Sequence, residues 1–392
     1  MIKRDYYLNL IRPFYNKPII KIITGIRRSG KSTLLLQLIE DLKSNGVEDN
    51  QIIHLKLDLF ENIDFRDKNI LFKHINKRLQ KEVKTYLFLD EIQEVDGFED
   101  IINSFLDKNV DIYLTGSNSK MLSSELSTYL TGRYISFEIF PFSFKEFLQY
   151  HQTTKLDDAF VTFINYGGLP QVQAFNSDLE KKRILRDLFN SILIKDLVER
   201  YRIRNVNQFE NFINYLMSIT SKQFSAKNVM NYFNKENRNI SKETLYNYLN
   251  YLNEAFFIYS SKRYDIQGKK LLETNEKIFI NDQGFRSLLF NNESDIEKIL
   301  ENIVFLELKR KGYEIYVGYE GEYEVDFIAV KNDQKIYYQV CYLLASDKVV
   351  EREFRSLLNI NDQYPKYILS MDKINFSKEG IIHKNIIDFL LE

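Results

Sequence analysis

Cysteine occurs once in the chain, at Cys341, which excludes an intramolecular disulfide and suits a reducing compartment. Histidine is almost as scarce: His54, His74, His151 and His383 stand at no zinc-ligand spacing from one another or from Cys341. No apolar run approaches the roughly 18 residues of a membrane helix, and Met1-Ile-Lys-Arg-Asp-Tyr-Tyr7 leads into no signal-peptide core. An excess of one charge is missing too. With 54 basic against 55 acidic residues the formal net charge is −1, so the whole chain is no polycation built to coat nucleic acid. What is present, 44% hydrophobic and 28% charged residues, belongs to an ordinary globular protein. At about 150 residues per domain, 392 residues make two to three domains. The expectation is a soluble, cytoplasmic, multidomain protein with no membrane partner.

The first 140 or so residues alternate between two patterns. Short β-branched or apolar runs, Pro18–Thr24, Ile52–Leu57, Tyr86–Asp90, Asp111–Thr115 and Tyr134–Phe140, predict five strands. Thr33–Lys43 and Asp67–Val83 carry helical patterns between them. Strands separated by helices predict an α/β fold: a parallel sheet with helices on both faces and a site at the carboxyl ends of its strands.

Gly25-Ile26-Arg27-Arg28-Ser29-Gly30-Lys31-Ser32, followed by Thr33, fits the G-x-x-x-x-G-K-[ST] phosphate loop and stands between a predicted strand and a predicted helix. The glycines let backbone N–H groups turn towards phosphate oxygens, and the helix amino terminus adds partial positive charge. Lys31 would reach the β- and γ-phosphates of ATP and Ser32 would bind Mg2+. Leu87-Phe-Leu-Asp90-Glu91 supplies the complementary half. Asp90 would hold the metal through water, and Glu91 would orient and deprotonate the attacking water. Ser117 and Asn118, beyond the fourth strand, are either sensors of the γ-phosphate or capping residues of a turn. Arg133, in Thr131-Gly132-Arg133-Tyr134, is either an arginine finger or a solvated strand-end arginine.

These stretches, with Leu114-Thr-Gly-Ser117, Pro141–Phe147, Gly167-Gly-Leu-Pro170 and Lys277–Gly284, resemble an archaeal and bacterial family of AAA-type P-loop ATPases. The resemblance implies a P-loop core over 1–141, a helical lid and connector over 142–204, a winged helix over 205–285 and a nuclease-like α/β domain over 286–392. It implies ATP and Mg2+ as ligands, and it places Pro170 beside the nucleotide base.

Ser143–Phe163 and Lys181–Arg204 read as helices, the second with Lys195 and Asp196 as a surface or interdomain pair. Ser241–Asn253 would be the recognition helix of the winged helix, and residues 255–272 its wing. From Asn205 to Thr274 there are nine Lys and Arg against six Asp and Glu, and the recognition helix offers only Lys242 against Glu243. That balance leaves both DNA and protein contact open. In the last hundred residues Glu301 and Glu307 lie on one helix and Asp326 on a strand. Tyr323–Val330 and Lys335–Cys341 form a hairpin turning at Asn332-Asp333. This resembles the PD-(D/E)xK nuclease layout, but the acid-x-Lys triplet is replaced by Gln339-Val340-Cys341, so the domain is expected to be catalytically inactive. The functional expectation is Mg-dependent ATP hydrolysis coupled to DNA- or protein-contacting modules, with a homo-oligomer or protein client as further partners. The alternative is a nucleotide-gated switch with little turnover.

Overall fold

A computed structural model describes residues 2–80, 82–119, 132–235 and 239–392. Thr131 lies outside the described residues. The chain divides into two compact units, Met1–Phe140 with Glu254–Phe256, and Pro141–Asn253 with Phe257–Glu392. Among the described residues no helix is long and apolar enough to cross a membrane.

The first unit begins with helix α1 (Asp5–Ile11) and strand β1 (Ile20–Thr24). Helix α2 (Lys31–Ser44), β2 (Ile52–Lys56), α3 (Lys68–Arg78), β3 (Thr85–Asp90), α4 (Phe98–Leu106), β4 (Val110–Gly116) and β5 (Tyr134–Glu138) follow. The strands form one sheet in the order β2-β3-β4-β1-β5, and every pairing is parallel. Alternation along β1 and β3 explains the two layers of helices. Ile20, Ile22, Leu87 and Leu89 pack in one core with Ile75 of α3 and Ile102 of α4. Ile23, Tyr86 and Phe88 pack in the other with Leu8 of α1 and Leu35 and Leu38 of α2. The helix expected over 67–83 ends at Arg78. Asp67 caps it, accepting from the backbone of Asn69 and Ile70.

The second unit starts with helices α5 (Phe144–His151), α6 (Leu156–Tyr166), α7 (Pro170–Gln173) and α8 (Asp178–Ser191). The helical stretch expected over 143–163 is two helices, parted at Gln152, whose left-handed backbone (φ 50°) ends α5. Helix α8 runs on into a π-helical segment, Ile192–Glu199. Within it Asp196 is buried and faces Arg200, one turn on, at 3.7 Å.

Helix α9 (Val206–Ser218), strand β6 (Lys222–Gln223), α10 (Ala226–Lys235), α11 (Lys242–Glu254), β7 (Ile258–Asp265) and β8 (Lys270–Ile280) come next. After α12 (Gln283–Ser287) and α13 (Ile296–Arg310) come β9 (Glu314–Glu320), β10 (Tyr323–Lys331) and β11 (Gln334–Val340). Helix α14 (Asp347–Leu358), β12 (Lys366–Ser370), β13 (Ile381–Asn385) and α15 (Ile386–Leu391) complete the chain. The strands form a single mixed sheet, β13-β12-β11-β10-β9-β7-β8-β6. The β10–β11 hairpin turns at Asn332 and Asp333, both with positive φ, as a two-residue hairpin loop requires. The boundaries expected at 204/205 and 285/286 fall inside this unit. The reason is strand pairing: Arg263–Asp265 of β7 run parallel to Val317–Tyr319 of β9, so the expected wing and the expected nuclease-like hairpin share one sheet.

Buried Asp282 ties two distant stretches of this unit. Its carboxylate accepts backbone N–H bonds from Gly168 (2.7 Å) and Gly284 (2.9 Å). Gly167 lies so close that a Cβ there would fall 1.6 Å from the carboxylate. The conspicuous Gly-Gly-Leu-Pro turn is thus a cradle for an acid 114 residues away. Burial raises the Asp282 pKa to about 7, although the N–H donors pull it down. A carboxyl with a higher pKa folded than unfolded stabilises the fold fully below its unfolded value, about 4, and that contribution is lost as pH rises through about 7. The thermal midpoint is therefore expected to fall between about pH 5 and pH 8. Glu301, also pushed up to about 7, supplies part of that slope. Asp282→Asn should flatten it by at least about 2–4 °C, the shift that roughly 1 kcal/mol produces in a domain of this size, as read by melting curves across that range.

Candidate nucleotide site

Because all five strands of the first sheet are parallel, the ends of β1, β3 and β4 share one edge. Thr24 is level with Gly116, and Leu89 with Leu114. The chain leaves β1 through Gly25 (φ 140°), where a Cβ would lie 2.2 Å from the carbonyl oxygen of Ile139. Only glycine passes there. Arg28 turns left-handed (φ 68°), and Gly30 (φ 101°) caps the fourteen-residue helix α2. The buried Lys31 ammonium spans the loop, donating to the carbonyls of Gly25 (3.0 Å) and Ile26 (3.1 Å) and standing 3.8 Å from the Glu91 carboxylate. Among the described residues the buried hydroxyls of Thr24 and Ser29 have no hydrogen-bond partner.

Asp90 ends β3 and is buried; it accepts hydrogen bonds from the hydroxyls of Thr115 and Ser32. Burial raises its pKa, and those two hydroxyls oppose the rise. Glu91 takes a left-handed backbone (φ 56°, ψ 51°), which costs a residue with a Cβ about 1–2 kcal/mol. The turn is held by its N–H, which donates to Thr115 Oγ1 at 2.8 Å, while the Gln93 amide donates to its carboxylate. One threonine hydroxyl therefore fixes both acids. The loop itself is fixed from below by Arg4, which donates to the carbonyls of Ser29 and Phe140, each at 3.0 Å. A ring contact to Tyr7 at 4.5 Å holds the guanidinium in place.

The sequence-derived set falls into three groups. Gly25, Ile26, Ser29, Gly30, Lys31, Ser32, Asp90 and Glu91 meet at the carboxyl edge of the sheet, and Thr33 continues the first turn of α2. Ser117 and Asn118 are buried just beyond Gly116, next to the start of the loop. Arg28 is exposed and Arg27 half-buried. Arg133 is not brought to the loop. It precedes Tyr134, which is level with Ile20, so it stands at the amino end of β1, about 13 Å of strand away. Its half-exposed side chain faces Asp107 at 3.7 Å. Sequence reasoning missed Thr115 and Arg4. Thr115 stood inside Leu-Thr-Gly-Ser, one step before the residues chosen; Arg4 carries no local pattern at all.

The donor set fits Mg-ATP. Ser32 and Asp90 present hard oxygen ligands in mutual contact. The loop combines a helix amino terminus, a buried ammonium and two hydroxyls that have no partner among the described residues.

In the second unit Glu301 and Asp326 do converge, with Glu324 added, but around the ammonium of Lys277. Glu307 instead pairs with Arg310 and with Lys311. Among the described residues no group of three or more His, Cys, Asp or Glu is placed to hold a metal ion.

Residues 17–148 match the AAA domain family and residues 157–296 match a domain of unknown function, DUF8612. An uncharacterized protein of Haemophilus influenzae is 35% identical over 100% of this chain and 99% of its own length. One of Methanocaldococcus jannaschii is 32% identical over 96% of this chain and 84% of its own. Among solved structures, a Walker-type ATPase of Pyrococcus abyssi is 16% identical, covering 74% of this chain and 95% of its own with a TM-score of 0.46.

Replacing Thr115 by Val keeps its shape but strips Asp90 and the Glu91 N–H of a buried partner. The expected cost is about 1–3 kcal/mol, measured by denaturant unfolding, with Thr115→Ser close to wild type.

Proposed function

This chain belongs to one family with the uncharacterized Haemophilus and Methanocaldococcus proteins, which it matches over nearly its whole length, and its residues 17–148 match the AAA domain family; from that premise we propose that its first unit binds Mg-ATP and hydrolyses it. The observation that carries the proposal is the meeting of the Lys31 ammonium, the Ser32–Asp90 contact and the Glu91 carboxylate at the mouth of the phosphate loop. In this reading the Gly25–Thr33 backbone cradles the phosphates, and Lys31 turns from the carbonyls of Gly25 and Ile26 to the β- and γ-phosphates. Ser32 directly and Asp90 through water would hold Mg2+, which would neutralise phosphate charge. Glu91, aimed by Thr115 and Gln93, accepts the proton of the attacking water. Ser117 and Asn118, buried just beyond Gly116, would sense the γ-phosphate in this reading.

The nucleotide state is passed on through Arg4, which joins the loop carbonyl of Ser29 to Phe140, the residue before the second unit. That unit supplies the output contacts. The order of α9, β6, α10, α11 and the β7–β8 hairpin supports a winged helix. Pairing of the hairpin with β9, and the exposed Lys242 beside exposed Glu243, favour protein or intramolecular contact over DNA.

One observation favours a second reading, a nucleotide-gated switch with little turnover: Arg133 stands at the far end of its own sheet. It would meet a γ-phosphate only in another copy of the chain. Phosphate release from Mg-ATP across a protein concentration series separates these readings. Wild type is expected to turn over, and Lys31→Ala and Glu91→Gln each to lose about a hundredfold or more, with ATP still bound by Glu91→Gln. Turnover per chain that rises with concentration would mark a shared site. Tight ATP binding without release would sink hydrolysis and leave the switch.

A further inference from the structure

The acidic cluster of the second unit carries a resident cation of its own. Lys277 lies on β8 with its side chain only 2% exposed, and its ammonium stands 2.8 Å from Glu301, 2.9 Å from Glu324 and 3.3 Å from Asp326. The three acids come from helix α13 and strand β10. Each of their six oxygens is engaged. Glu301 Oε1 accepts from Lys298 at 2.6 Å; its Oε2 faces Lys277 as an ion pair off the line of a hydrogen bond. Glu324 Oε1 accepts from Lys277 at 2.9 Å and Oε2 from the Tyr319 hydroxyl at 2.6 Å. Asp326 Oδ1 accepts from Lys277, and Oδ2 accepts the Val340 N–H at 2.9 Å.

The acidic charges are also largely offset without a metal. Burial works to strip the Lys277 proton, but Glu301, Asp326 and Glu324 together hold its pKa well above the ordinary value. Burial and Asp326 push Glu301 up to about 7, so near neutral pH it is partly protonated beside the Lys277 and Lys298 ammoniums. On the neighbouring strand β11, where a second acid and a lysine are needed for metal-assisted hydrolysis, the residues are neutral. Gln339 accepts from the Asp326 N–H and donates to Glu353 at 2.9 Å. Cys341 is buried in the apolar core, its thiol pKa pushed up by burial.

We infer that the Lys277 ammonium occupies the position a divalent cation would take in this cluster, so that the second unit is closed to metal and folds without it. Removing the ammonium should open a cation site. The experiment uses the full-length chain, free of nucleotide and carrying Asp90→Asn to silence the first unit's metal ligands. Mn2+ is the probe, read by thermal unfolding and by the loss of its free-ion paramagnetic resonance signal. With Lys277 present, melting should be unchanged by about 1 mM Mn2+ or by EDTA, and no Mn2+ should be held, as an intact ammonium leaves no open oxygen set. Lys277→Ala should melt lower by several degrees, bind Mn2+ and recover part of the loss; if it fails to fold alone, Mn2+ should restore folding. Lys277→Arg, which keeps the charge, should fold and ignore Mn2+. Mn2+ held by the parent or the Arg variant, or a Lys277→Ala chain indifferent to Mn2+, overturns the inference.

Discussion

Parallel pairing of β1 with β4 and β5 is the constraint on which the candidate site depends. It puts the carboxyl ends of β1, β3 and β4 at one edge, so residues from positions 24–32, 90–91 and 115–118 meet without a shared segment of sequence. It also brings Ile139 against Gly25, which is why the loop can pass there only as glycine. The same register sends Arg133 to the opposite edge. A single geometric fact thus assembles one set of groups and removes another.

Buried charge is handled differently in the two units. At the phosphate loop Lys31 is buried against backbone carbonyls and faces Glu91 at a distance too long for a hydrogen bond, leaving its ammonium able to change partners. In the second unit, by contrast, Lys277 is enclosed by three carboxylates and Asp282 by backbone N–H groups. Removing one member of such a buried network leaves the others uncompensated. The first arrangement suits a group that must rearrange around a ligand. The second two suit fixed points of the fold.

Much of the first unit was legible along the chain. Five apolar runs became five strands, because strands buried on both faces need continuous apolar sequence, as β1 and β3 show. Gly25–Ser32 and Asp90-Glu91 carry fixed local spacing, and the parallel sheet sets them at one edge. The second unit was less legible. Its helix break at Gln152 depends on one left-handed residue of no distinctive type, and its continuous sheet depends on three residue pairs between β7 and β9. Neither has a periodic signal.

The sequence by itself determined the phosphate loop, the paired acids after β3 and the absence of an acid-x-Lys triplet at Gln339–Cys341, since each is a matter of residue type at short spacing. Only the tertiary structure decided that Thr115 holds both acids, that Arg4 braces the loop, and that Lys277 stands among Glu301, Glu324 and Asp326. Those contacts join residues between 24 and 136 positions apart. A hydrogen bond or ion pair across such a separation leaves no trace in local composition, because it exists only once packing has brought the partners to within about 3 Å.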